Sequence, residues 1–499
     1  MLILCDDRRV IFGHGVASGD PLSDRVVIWT RVTTDEQSVA VGWVLARDVA
    51  LEDVVATGET HAHADCDHTV HVDVSGLEPA TSYHYAFTAG DETSAAGRTR
   101  TLPAGDVERV RFAMCSCAKF NAGFFNAYAR ISEHDGLDFL LHLGDYIYEE
   151  ADTPPKGQTP GADIERPFDP LHECQTLEDY RRRYAQHRSD PDVQRLHCAL
   201  AVIATLDDHE LADGAWKGGC SEDRSAEHGP WKARREAALQ ARWEWLPSRP
   251  PDPDDPTRVF RTIGLGELAA VQLLDIRSRR DKPVPPPAMN DPDRSMLGAQ
   301  QRDWLFGALD GESGAWQIIA TPSIFTRTWS AQPKEPLRTA LLELKLMDAD
   351  GDGPDYDQWD GYPAERAALV ARLAQLNDVV LLSGDIHASV AAQVRDEDGA
   401  TVAVEMTTTS LTSQNLDDKL AVANRDPVVT SSEDAFIAAH DHVSWCEFAS
   451  HGYVVVDVDA HRLRGEWWYV DTVLKRTDVV RRAAAFEVPR GQPTLNAAR

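Results

Sequence analysis

A short apolar run at residues 139–143, Phe-Leu-Leu-His-Leu, ends at Gly144 and is followed by Asp145 and Tyr148. Such a run, bounded by a glycine, is typical of a buried β-strand that leads into a loop. In α/β proteins, the loops beyond the carboxyl ends of the strands form the crevice in which sites are built. This segment therefore predicts a strand whose end presents a carboxylate and a phenol to a functional site.

Three further apolar runs end in side chains that can bind a metal or carry a proton. In chain order, residues 110–114 lead to Cys117, residues 201–206 lead to Asp207, Asp208 and His209, and residues 379–382 lead to Asp385 and His387. Taken singly, a histidine or a cysteine in such a place is more often a structural residue of the core. Several strand ends that each offer Asp, His, Cys or Tyr together indicate a metal centre.

The ligand types narrow the choice of metal. Thiolate, phenolate, carboxylate and imidazole together suit a first-row transition ion better than Ca²⁺ or Mg²⁺, which prefer oxygen ligands. Because a phenol loses its proton near neutral pH only to a strong Lewis acid, Tyr148 favours Fe³⁺ over Zn²⁺. A second, oxygen-rich set of Asp145, Asp208 and Asp385 favours Ca²⁺, Mn²⁺ or Mg²⁺. Asp145 has two oxygens and is the natural bridge between two cations, an arrangement that suits in-line displacement at phosphorus.

The pattern of the chain changes near residue 104. Before it, short alternating runs such as 26–29, 70–74 and 83–87 are separated by Gly, Pro and Asp turns, which predicts an all-β sandwich of the fibronectin III or immunoglobulin type over residues 1–104. After it, apolar strands alternate with helical segments, among them 230–246 and 298–309. This alternation predicts an α/β domain over residues 105–499, with central sheets flanked by helices.

The balance of charge restricts the partners. With 50 Lys and Arg against 81 Asp and Glu, the net charge is −31, which disfavours nucleic acids and anionic membrane surfaces. A phosphate substrate would be repelled unless bound cations reverse the local field. The sequence contains no apolar run of membrane-spanning length, and residues 1–5 are too short for the core of a signal peptide. We therefore expect a cytoplasmic protein as written, or a secreted or periplasmic one if a signal has been removed.

Several motifs resemble a known family. The segments 144–149 (Gly-Asp-Tyr-Ile-Tyr-Glu), 207–210 (Asp-Asp-His-Glu) and 384–387 (Gly-Asp-Ile-His) resemble the metal motifs of the alkaline phosphatase D (PhoD-like) family of metallophosphatases. Outside the site, residues 15–21 and 29–31 resemble its N-terminal domain, and residues 274–280, 359–363 and 452–454 resemble its catalytic domain. The resemblance covers nearly the whole chain.

This resemblance implies metal-dependent hydrolysis of phosphate monoesters or diesters, in which a metal-activated hydroxide attacks phosphorus in line. It implies Fe³⁺ at Cys117, Asp145, Tyr148 and His387, with Ca²⁺ at the carboxylates, and it leaves open how Asp385 and His387 divide between the sites. The implied catalytic residues are Asp208 and His209, of which His209 contacts the phosphate and protonates the leaving oxygen.

Two points stay open from the sequence. Arg277 and Arg280 could clamp a phosphate through paired hydrogen bonds, or could pair with the abundant acidic side chains. The function also has two alternatives, namely a phospholipase D-like phosphodiesterase on the same metals and a metal-binding module without turnover. Rates on a monoester and on its diester would separate the two hydrolytic activities.

Overall fold

The computed structural model describes residues 11–152, 164–221, 229–250, 252–311, 314–329, 333–348, 350 and 353–498. Elements are numbered in chain order within these ranges. The strands are β1 (Val16–Gly19), β2 (Arg25–Arg31), β3 (Ser38–Ala46), β4 (Val54–His63), β5 (Thr69–Ser75), β6 (Ser82–Ala89), β7 (Glu92–Thr93), β8 (Gly97–Arg100), β9 (Arg109–Cys115), β10 (Phe139–His142), β11 (Ala201–Ala204), β12 (Arg261–Leu265), β13 (Ala269–Leu273), β14 (Trp316–Ala320), β15 (Val379–Ser383), β16 (Ser389–Arg395), β17 (Thr401–Thr407), β18 (Val443–Glu447), β19 (Gly452–Asp459), β20 (Arg462–Val470), β21 (Val480–Pro489) and β22 (Asn496–Ala497). The α-helices are α1 (Asn126–Ser132), α2 (Leu177–Ser189), α3 (Pro191–Ala199), α4 (Trp231–Trp245), α5 (Gly298–Asp310), α6 (Leu337–Glu343), α7 (Pro363–Leu373), α8 (Leu416–Leu420) and α9 (Pro427–Ala439).

Two mixed sheets form the centre of the protein. The first runs in the order β22-β21-β20-β19-β9-β10-β11-β1-β2-β5, and within it β9, β10, β11 and β1 are parallel neighbours. The second runs in the order β12-β13-β14-β15-β17-β16-β18, and within it β13, β14, β15 and β17 are parallel. The loops that carry chemistry follow the carboxyl ends of β9, β10, β11 and β15.

The parallel strands at the centre of these sheets are buried on both faces. On β9, Phe112 and Met114 lie in the core between the two sheets, whereas Ala113 and Cys115 face the core under helices α1–α4. Successive side chains of a strand point to opposite faces, so a strand between two cores needs apolar residues at every position. The outer face of the second sheet is covered by α5 and α7 and, in a neighbouring cluster, by α6, α8 and α9. The layers are thus helix, sheet, sheet and helix.

The N-terminal strands do not form a separate sheet pair. Strands β3, β4, β6, β7 and β8 make a smaller sheet, which shares a core with side chains of β1, β2 and β5. However, β1 pairs in parallel with β11, with Ser18 opposite Ala201, so β1, β2 and β5 extend the first large sheet. The indole of Trp29 on β2 also donates to the carbonyl of Glu244 at 2.8 Å. One sheet therefore runs across the predicted boundary at residue 104.

None of the helices within the described ranges combines the length and the apolar character needed to cross a membrane.

Candidate metal centre

The loops after β9, β10, β11 and β15 converge and bring candidate ligands together. The described residues contain three overlapping groups of potential ligands, and within each group the ligand atoms lie within 4.8 Å of one another. They are Cys117 with Asp145 and His387, Asp145 with Asp208 and His209, and Asp145 with Asp207, Asp208 and Asp385. Asp145 belongs to every group, which is the position that a bridging carboxylate requires.

The first group also contains the predicted phenol. The hydroxyl of Tyr148 donates to Oδ2 of Asp145 at 2.9 Å and lies 3.4 Å from Nε2 of His387. Cys117, Asp145 and Tyr148 are almost fully buried. Sulfur, phenol oxygen, carboxylate and imidazole thus lie close together in this part of the site.

Two residues that the sequence did not single out support this group. The hydroxyl of Ser413 donates to the phenol oxygen of Tyr148 at 2.6 Å. The backbone carbonyl of Gln414 lies 2.9 Å from Nδ1 of His387. If Nδ1 carries the proton and donates to this carbonyl, Nε2 keeps its lone pair for a cation, which is how outer contacts usually orient a histidine ligand.

The third group is made of carboxylates only. The backbone N–H of Gly214 donates to Oδ2 of Asp208 at 2.6 Å, and the side-chain amide of Gln358 donates to Oδ2 of Asp385 at 2.6 Å. Asp207 joins Asp145, Asp208 and Asp385 in this group. The sequence indicates Asp207 as a possible ligand after the run 201–206, but it is not among the residues assigned to the oxygen-rich site.

Arg277 lies among these carboxylates. Its guanidinium bonds to Asp207 and Asp357, and Nη2 lies 3.2 Å from Oδ1 of Asp385 and 3.7 Å from Oδ1 of Asp208. The side chain is fully buried and contacts predicted ligands directly. The structure contains the pairing of Arg277 with acidic side chains, and its contact with substrate stays a prediction.

The contacts of Arg280 differ from those expected for the substrate-binding role that the sequence predicts. Its Nε donates to the carbonyl of Ala215 at 2.8 Å, and Nη1 and Nη2 donate to the backbone and the side chain of Asp357, each at 2.6 Å. The residue has no exposed surface. The structure gives no support to a phosphate contact by Arg280, because each guanidinium nitrogen already donates to the protein.

His209 is held beside the carboxylates by three contacts. Its Nδ1 lies 2.8 Å from Oε2 of Glu149, its ring packs on Tyr148 with centroids 4.1 Å apart, and its backbone N–H donates to Asp145. Burial lowers the pKa of His209, but the carboxylates of Glu149, Asp145 and Asp208 outweigh it and raise the pKa well above its ordinary value. A protonated imidazole in this position can donate a proton to a leaving group.

Four of the predicted ligands have a left-handed backbone. Their φ angles are 60° at Cys117, 55° at Asp145, 68° at Asp385 and 54° at His387. A non-glycine residue in a sparsely populated region costs roughly 1–3 kcal/mol and persists only where its surroundings hold it. Such residues cluster at functional sites, and here they occur in three of the four converging loops.

The donor chemistry fits two cations of different kinds. Burial, together with the carboxylate of Asp145, raises the pKa values of the Cys117 thiol and the Tyr148 phenol well above their ordinary values. A bound multivalent cation is what removes such protons, because a coordinating thiol is deprotonated outright. The mixed S, O and N group fits a first-row transition ion, and the carboxylate group fits a hard cation such as Ca²⁺.

Comparison with known proteins agrees with this geometry. The family model of the PhoD-like phosphatases matches residues 112–467, and the model of the N-terminal domain of PhoD-like phosphatases matches residues 5–103. The chain belongs to the PhoD-like phosphatase family. Alkaline phosphatase D of Bacillus subtilis (strain 168) is 32% identical over an alignment of 513 positions, which covers 97% of this chain and 82% of that protein. A solved structure of PhoD superposes with a TM-score of 0.86 at 30% identity, covering 99% of this chain and 93% of the other.

Membership of this PhoD-like family confirms the predicted class of activity. The chain is a metal-dependent phosphoesterase, and it hydrolyses phosphate esters.

Proposed function

We propose that this phosphoesterase holds Fe³⁺ among Cys117, Asp145, Tyr148 and His387, and holds Ca²⁺ among the carboxylates of Asp145, Asp208 and Asp385. The observation that carries the proposal is the place of Asp145 in both groups of ligand atoms. Asp207, which lies in the carboxylate group, is an additional candidate ligand. Mn²⁺, Mg²⁺ and Zn²⁺ are the alternatives for the second position.

Two adjacent cations, when bound, supply positive charge that holds a nucleophile and offsets the charge that develops during displacement at phosphorus. The residues of the chain supply orientation and proton transfer. Asp145, which lies in both the mixed group and the carboxylate group, would hold both cations. His209 holds a proton next to the carboxylates and delivers it to the leaving oxygen, while Glu149 orients the ring through Nδ1.

Substitution of the bridging residue tests this proposal. We expect Asp145→Asn to abolish the hydrolysis of p-nitrophenyl phosphate while the circular dichroism spectrum stays unchanged, because the amide removes the charge that both positions share. Asp91→Asn, at an exposed turn, is the matched control and keeps wild-type activity. Wild-type turnover in Asp145→Asn would reject the assignment of the site.

Metal analysis of the purified protein, beside parallel rates on a phosphate monoester and the corresponding diester, distinguishes the remaining alternatives. Iron and calcium in stoichiometric amounts support the proposed ions. Faster turnover of the diester would favour the phospholipase D-like alternative on the same metals.

A further inference from the structure

A second concave site lies between helix α4 and residues 248–250 and 252–261. The cavity has a volume of about 540 Å³. Pockets of roughly 300–1,000 Å³ are the usual size for small-molecule ligands. The described residues that line it include none of the predicted metal ligands. The cavity is therefore separate from the metal centre.

The lining combines flat apolar surfaces with cationic groups. Its apolar part is formed by Leu239 and Trp243 of α4 together with Val259 and Phe260. Its charged part contains more arginines than carboxylates, namely Arg242, Arg249, Arg258 and Arg261 against Asp20, Glu236 and Asp252. A cationic rim is notable in a chain whose net charge is −31.

One arginine of the rim is available to an anion. The guanidinium of Arg258 lies over the ring of Phe260, 4.6 Å from its centroid, and its nearest carboxylate is Asp252 at 3.8 Å. The side chain of Arg258 is 33% exposed. By contrast, Arg249 and Arg261 pair with Asp73 and Asp20. Arg258 thus presents a loosely paired positive charge beside an aromatic face.

We propose that this cavity binds a planar apolar molecule that bears a carboxylate or sulfonate group. The aromatic body packs against Leu239 and Trp243, and the anionic group pairs with Arg258. The volume, the apolar wall formed by α4 and the loosely paired charge of Arg258 are three separate features that agree with this class of ligand.

Fluorescence titration with 1-anilinonaphthalene-8-sulfonate tests the proposal on the whole metal-loaded protein. We expect one saturable site per chain, and excess inorganic phosphate should not displace the probe because phosphate binds at the metal centre. Leu239→Trp fills the cavity and should weaken binding about tenfold or more, equivalent to roughly 1.4 kcal/mol. Leu171→Trp, at a residue that is 64% exposed, is the matched control and should leave the affinity unchanged.

A second variant tests the charge without filling the cavity. Arg258→Gln should weaken binding of the sulfonate probe about tenfold or more, because the substitution removes the positive charge that pairs with the sulfonate. The neutral probe N-phenyl-1-naphthylamine should bind the wild type more weakly than the sulfonate and should not respond to this substitution. Equal affinity of the wild type, Leu239→Trp and Arg258→Gln for the sulfonate would overturn the proposal, as would displacement of the probe by phosphate. Neither outcome would bear on phosphoester hydrolysis, which is assayed separately.

Discussion

The carboxylate of Glu210 accepts the backbone N–H of Asp145 at 3.0 Å, although the two residues are 65 positions apart. The same carboxylate accepts the N–H groups of Tyr146 at 2.6 Å and Asp207 at 2.7 Å. Glu210 has no exposed surface. It therefore fastens the loop after β10 to the loop after β11, and the spacing of the ligands depends on a side chain outside the three ligand groups.

Replacement of this carboxylate should weaken the fold and the site together. In Glu210→Gln an amide N–H₂ faces at least one of the three N–H donors, so we expect the free energy of unfolding in urea to fall by about 1–3 kcal/mol. Because contacts of this kind tune metal binding, we also expect metal affinity to fall about 10–100-fold. Glu59→Gln, at an exposed position of β4, should change stability by less than about 0.5 kcal/mol. Unchanged stability and metal content in Glu210→Gln would contradict the fastening role.

Gly144 is required by the close approach of the same two loops. Its φ is 105°, and a Cβ built on it would lie 2.5 Å from the backbone nitrogen of Asp207. We expect Gly144→Ala to cost about 1–3 kcal/mol in strain and to reduce bound metal, because the contact displaces Asp207. In contrast, Gly307→Ala in α5 meets nothing within 4 Å and should stabilise the protein by about 0.5–1 kcal/mol. Thermal unfolding and metal analysis of both variants check this, and equal effects would reject the steric explanation.

Most of the elements around the candidate metal centre could be predicted from local sequence patterns. The runs 139–143 and 379–382 correspond closely to β10 and β15, because strands buried on both faces must be apolar throughout. The predicted helix 230–246 agrees with α4 within one residue at each end. The loops that follow neighbouring parallel strands lie at the same edge of the sheet, so ligands that are far apart in the sequence meet at that edge.

Other features depend on long-range packing and leave no local signal. Ser413 reaches the phenol of Tyr148 from 265 positions away, in a loop whose sequence has no metal-binding pattern. The residue pattern of β1 or of β11 likewise gives no indication that the two strands pair in parallel. The partner of Arg280 was ambiguous because a guanidinium suits a phosphate and a carboxylate equally, and only the position of Asp357 resolves it.

The identity of the first metal depends most on Tyr148. If Fe³⁺ binds there, the metal-loaded protein should show a phenolate-to-iron charge-transfer band in the visible spectrum, and Tyr148→Phe should remove it. Ser413→Ala should shift the band rather than remove it, because the serine hydroxyl donates to the phenol oxygen at 2.6 Å. Tyr356→Phe, at a partly exposed tyrosine, is the matched control and should keep the wild-type spectrum. Absence of the band from fully metallated wild-type protein would favour Zn²⁺ or Mn²⁺.

The role of His209 as proton donor can be separated from a purely structural one by varying the leaving group. An alkoxide needs a proton as it departs, whereas a nitrophenolate is stable without one. We therefore expect His209→Asn to lower kcat about 10²–10⁴-fold for an alkyl phosphate and much less for p-nitrophenyl phosphate.

Two comparisons make this test of His209 specific. His61→Gln, at an exposed histidine of β4, should leave both rates unchanged. Glu149→Gln removes the charge 2.8 Å from Nδ1 of His209 and should reproduce the leaving-group dependence in weaker form, because the ring stays in place but is less basic. If His209→Asn lowers both rates equally, the histidine positions the phosphate and another group supplies the proton.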